Sequence, residues 1–131
     1  MPNFKACNFG PLPVDLINAL LGTELEPGDA RLSAQAHEHM ALDHDEDYPI
    51  CIAVLSQAIA APTFVGQAPG HARNFEMIRR MGTADGQAVL VAIGLEPDAR
   101  GDYRVRSCYL ITAEIVENRR QKGRLKVVLS T

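Results

Sequence analysis

Along the chain the spacing of apolar residues changes from about 3.6 to about 2 near Pro62, so helices should precede a sheet. Val14 to Leu21 is apolar enough for a short helix, which Gly22 ends. Ser33 is an N-cap candidate for a helix running to about Asp43, with Ala36 and Met40 at helical spacing. Tyr48 to Ala61 puts Ile52, Leu55 and Ile59 on one stripe, with Pro49 in the first turn and Pro62 just beyond the end. That pattern predicts a well-buried helix. Thr63 to Gly66, Phe75 to Met81, Ala88 to Leu95 and Tyr103 to Thr112 then read as strands, with a Gly/Pro loop to His71 after the first of them. The short glycine-containing connectors between the later strands predict an antiparallel meander. Ala113 to Lys122 reads as a helix, and Arg124 to Leu129 as a last strand or extended tail. The predicted class is α+β: N-terminal helices, an antiparallel β-meander and a late C-terminal helix.

Strict alternation in the strand from Tyr103 to Thr112 places Tyr103, Val105, Ser107, Tyr109 and Ile111 on one face, and Arg104, Arg106, Cys108, Leu110 and Thr112 on the other. Hydroxyls on an otherwise apolar face are costly to bury unless hydrogen-bonded. Either this is a half-buried edge strand whose arginines face water, or it carries a site.

Composition narrows the class. The 131 residues suit one domain, read as a leader over 1–30, rich in proline and glycine, packing on a single domain over 31–131. No apolar run reaches the roughly 18 residues of a membrane span, and no secretory signal is visible, so the expectation is a cytoplasmic protein without a membrane partner. Cys7, Cys51 and Cys108 are odd in number and widely spaced, which predicts reduced thiols. The net charge of −3 divides into −7 over residues 1–70 and +4 over 71–131. The basic half suits an anionic ligand, whereas the whole is too acidic for a non-specific nucleic-acid binder.

His37, His39 and His44 lie within a short acidic stretch with Glu38, Asp43, Asp45, Glu46 and Asp47. On a continuous helix His37 and His44 would share a face about 10 Å apart, too far to hold one small ion. No zinc or calcium loop spacing is present, and neither metal nor cofactor is expected. Histidine suits proton transfer near neutrality, although a solvated helix end would explain the same residues. No P-loop, dinucleotide fingerprint or serine-hydrolase elbow occurs. Arg79, Arg80, Arg104 and Arg106 lie on the strands of the basic half, where guanidinium forks could take phosphate oxygens or simply guard an exposed face.

Taken in order, the His-x(6)-His spacing, Asp47-Tyr48 before the next helix, Pro62 to Gly66 leading into the sheet, the Tyr103/Val105/Ser107/Tyr109 alternation and the later Ile115, Arg119, Gly123 and Leu125 resemble a known family. It is that of phage-type nuclease domains of the barnase, EndoU, colicin and RelE-like RNase superfamily, and the resemblance covers roughly residues 31–125. It implies metal-independent RNA cleavage by attack of the ribose 2′-hydroxyl on the adjacent phosphate. On that basis His37 or His44 is the base or acid, and Arg106 or Arg79 clamps the phosphate. Ser107, which is not a nucleophile, joins Tyr109, Thr112 and Arg119 on the substrate. The implied setting is a toxin or phage effector acting on RNA, tRNA included, with an immunity or antitoxin protein as partner. The alternative is a non-catalytic phage structural or protein-binding module of the same fold.

Overall fold

Ser33 accepts a hydrogen bond from the Ala36 amide at 3.0 Å, and Thr112 accepts one from Ile115 at 3.2 Å, so two helices begin where a side chain satisfies a free N–H. A third stops at Gly22, whose φ of 70° lets the chain leave in a left-handed turn. The computed structural model describes residues 4–67, 70 and 72–128. His71 and Leu129, expected in a loop and in the last strand, lie outside them.

The elements in order are β1 (Cys7–Pro11), α1 (Val14–Leu21), β2 (Asp29–Leu32), α2 (Ala34–Asp43), α3 (Tyr48–Ala60), β3 (Phe64–Gln67), β4 (Asn74–Arg80), β5 (Ala88–Gly94), β6 (Tyr103–Ile111), α4 (Ala113–Gln121) and β7 (Leu125–Val127). The fold is α+β, with one seven-stranded sheet of order β1-β2-β6-β5-β4-β3-β7. β3 to β6 form the expected antiparallel meander, to which β7 adds on one side. On the other side β2 joins β6 in parallel and β1 pairs with β2. The described part of residues 1–30 therefore supplies β1, α1 and the start of β2, with buried Leu12, Val14, Ile17 and Ala30 in the main core. Among the described residues no helix is long and apolar enough to cross a membrane.

Two cores lie on the two faces of the sheet. The larger packs α1, α2 and α3 on Val65, Phe75, Met77, Val89, Val91, Ile93, Tyr103, Val105 and Cys108. Leu55 and Ile59 of α3 are fully buried there, each stabilising by about 1.5–3 kcal/mol. The smaller core sets Val116 of α4 on Phe64, Ile78, Ala88, Leu90, Ile111 and Leu125. Gly66 is glycine because β7 comes so close: a Cβ there would stand 2.3 Å from the Arg124 carbonyl oxygen. Cys51 and Cys108 are buried free thiols, and Cys7 is half-buried.

β6 departs from strict alternation. Ala92 pairs with Ser107 but Ile93 pairs with Val105, leaving Arg106 as an extra residue in a bulge. The side chains therefore change phase. Tyr103, Val105 and Cys108 face the larger core, while Tyr109 and Ile111 face the α4 side. The expectation that Tyr103 and Val105 share a face with Ser107 and Tyr109 is corrected by that one inserted residue.

Candidate functional site

On the α4 side the strand pairings line up residues in rows. Asn74 lies opposite Gly94; Glu76, Ala92 and Ser107 form the next row; Ile78, Leu90 and Tyr109 the next. α4 covers the apolar rows, with Ala92 buried in the same core, and Gly94, which has no side chain, lines the hollow at the far end of this face. Val116 and Arg119, one helical turn apart, both face inward from α4. Arg119 Nη1 donates to Glu76 Oε1 in an ion pair whose side chains are 19% and 5% exposed.

Tyr109 joins this pair. Burial, and after it the Glu76 charge, pushes the Tyr109 phenol above its ordinary value, and Arg119 pulls the other way. The phenol is thus held protonated and able to donate. The His44 ring stacks on Tyr109 with centroids 5.5 Å apart. β2 pairs with β6 only at Tyr103 and Arg104, so the rest of that edge of β6 is open to the α2–α3 connection. The connection is fastened there by the Leu110 amide, which donates to Asp47 Oδ2 at 3.1 Å. α2 ends at Asp43, and His44 is its C-terminal cap residue rather than a further helical position.

The structure thus brings His44, Tyr109, Arg119 and Glu76 together, with Ser107 on the same face, two residues or about 6.7 Å along β6 from Tyr109. Other expected site residues stand elsewhere. His37 is buried on the opposite side of the sheet. Its Nε2 is 2.6 Å from the Tyr48 hydroxyl and its Nδ1 2.8 Å from the Lys5 carbonyl oxygen, so both ring nitrogens are engaged. Arg79 donates to the Ala61 carbonyl at 2.6 Å, and the Thr112 hydroxyl caps α4. Arg106 lines a neighbouring hollow with Arg73 and Arg104.

Glu76 escaped the sequence reading, although one carboxylate between Phe75 and Met77 in an apolar strand is itself a signal, since unpaired carboxylates are rarely buried. Arg73 was missed because it falls in a turn before β4. Among the described residues no three His, Cys, Asp or Glu side chains are grouped to hold a metal ion. No protein-family model, curated protein or solved structure matches the chain.

Proposed function

We propose that the chain is a metal-independent endoribonuclease whose site is the His44, Tyr109, Arg119 and Glu76 group. The observation that carries this reading is the union, on one sheet face, of a proton-transfer group, a protonated phenol and a guanidinium anchored by a buried carboxylate. Cleavage through the 2′-hydroxyl asks for little more.

His44 takes the proton of the 2′-hydroxyl as that oxygen bonds to phosphorus. The bond from phosphorus to the 5′-oxygen breaks, and the leaving oxygen takes a proton from the Tyr109 hydroxyl. The products are a 2′,3′-cyclic phosphate and a free 5′-hydroxyl, and proton exchange with water returns Tyr109 and His44 to their starting states. Arg119 neutralises charge on the phosphoryl oxygens, Glu76 holds the guanidinium in place, and Ser107 hydrogen-bonds the substrate. His37, Arg79 and Thr112 have structural roles. This chemistry fits the toxin or phage-effector setting, with RNA as substrate and an immunity or antitoxin protein as partner.

The test is cleavage of purified RNA in the presence of EDTA. Fragments ending in cyclic phosphate are expected from the wild type, with at least about a hundredfold loss in His44→Ala. A His44→Ala variant as active as the wild type would remove the site.

A further inference from the structure

At the end of the sheet face that α4 leaves uncovered, the chain builds a hollow of about 350 Å³. Arg73, Arg104 and Arg106 line it, with Asn74 and Gly94. The β6 bulge explains how Arg104 and Arg106 come to line one hollow beside Ser107: the extra residue shifts the phase of the strand between them and Ser107. Among the described residues none of the three guanidiniums makes an ion pair or hydrogen bond with the protein. Three guanidiniums outnumber the two carboxylates, Glu96 and Asp98, that share the lining. The Asp102 amide and, more weakly, the Arg104 charge help hold the Asp98 carboxyl below its ordinary value, yet the surplus of positive charge suits an anion.

Glu96 and Asp98 also border the hollow, but Asp98 is committed to its own turn. Its Oδ1 accepts from the Arg100 and Asp102 amides at 2.9 and 3.0 Å. Gly94 contributes room: a Cβ there would meet nothing closer than the Arg104 carbonyl oxygen at 3.9 Å. Asn74, at this end, stands two residues before Glu76 on β4, about 6.7 Å along the strand. That offset, from the hollow to the carboxylate that anchors Arg119, is comparable with the spacing of neighbouring phosphates on an extended RNA strand, and the Tyr109 row lies two residues further along.

We infer that the hollow of Arg73, Arg104 and Arg106 seats the phosphodiester next to the one that is cleaved, so that the enzyme takes single-stranded RNA longer than a dinucleotide. The inference rests on the ribonuclease reading for its substrate, and two measurements separate the two. The first is binding of a fluorescent 2′-O-methyl RNA oligonucleotide, which lacks the attacking hydroxyl, across a range of KCl concentrations. Neutralising one phosphate of a single strand contributes about 0.7 to the slope of log affinity against log salt. The Arg73→Ala/Arg104→Ala/Arg106→Ala protein is expected to lose about that much. Gly94→Val, which fills the hollow and leaves every charge, is expected to lose a comparable amount, whereas Arg100→Ala, outside the lining, keeps the wild-type slope. An unchanged slope in the triple variant or in Gly94→Val overturns the seat, as does an equal loss in Arg100→Ala, which would mean a diffuse field.

The second measurement is the ratio of kcat/KM on a tetranucleotide to that on a dinucleotide. In the wild type it should be about tenfold or more, the effect of one additional charge-assisted contact, and in the triple variant it should fall towards one. A ratio retained by the variant overturns the seat while leaving the ribonuclease reading intact. A wild type that cleaves neither substrate overturns the ribonuclease reading, and the salt slopes still decide whether the hollow holds a phosphate.

Discussion

Separating Arg119 from Glu76 is the perturbation whose size the structure sets most directly. The two side chains are 19% and 5% exposed, so the pair is largely out of water. Removing one member of a buried pair typically costs about 3–5 kcal/mol, and the partial exposure of Arg119 places Arg119→Met at the lower end, about 3 kcal/mol. Glu76→Gln keeps the shape and some hydrogen bonding, and about 2 kcal/mol is expected. The double variant leaves no charge behind, so it should cost less than the sum, with a coupling of about 2 kcal/mol. Urea denaturation followed by circular dichroism gives all four free energies by linear extrapolation. In a domain of this size Arg119→Met should also melt roughly 10 °C lower. Additivity within about 0.5 kcal/mol would refute the reasoning, because the guanidinium would then not be fixed by this carboxylate.

Other outcomes follow from the same geometry. His37→Ala should destabilise by roughly 2–3 kcal/mol, since it strands the Tyr48 hydroxyl and opens a cavity, yet folded protein should keep its cleavage rate; a lost rate at full folding would return His37 to the site. Burial raises both Tyr103 and Tyr109, so each contributes stability that is present below the unfolded tyrosine value of about 10 and is lost as pH rises through the folded values. Alkaline unfolding, with phenolate absorbance rising in step, checks this, and Tyr103→Phe should weaken the pH dependence. Cys51 and Cys108 are both fully buried, and although their contact lowers Cys51 while it raises Cys108, a thiol reagent should reach Cys7 first and the other two only as the protein unfolds. Gly66→Ala should detach β7 at a cost of about 2 kcal/mol or more, seen as faster amide exchange at Leu125.

Much of the fold was legible because its signals are local. The Ser33 cap, the Gly22 stop, Pro49 in the first turn of α3 and the apolar alternation of β4 and β5 each act within a few residues. β1 and β2 were not legible, being five and four residues long in a proline-rich stretch and stabilised by partners far along the chain. The parallel pairing of Ala30 with Tyr103 spans most of the chain, and no local pattern encodes it. The bulge at Arg106 left a trace, since buried positions run Tyr103, Val105, then Cys108, a slip of one residue in the period of two. Reading it would have placed Ser107 and Tyr109 on the face of Glu76. His44, Tyr109, Ser107 and Arg119 were singled out by residue type and order, but their separation from His37 depends on the sheet standing between them. Glu76 and Arg73 are visible as sites only once strands bring their partners alongside.

The most direct test of the central claim is end-group chemistry on RNA incubated with the purified protein in EDTA, run beside His44→Ala and Arg119→Lys. Fragments carrying 2′,3′-cyclic phosphate and 5′-hydroxyl ends, abundant with the wild type and at least about a hundredfold scarcer with His44→Ala, are the expected result. RNA left intact at high concentrations of folded wild-type protein would contradict the assignment of this site to RNA cleavage.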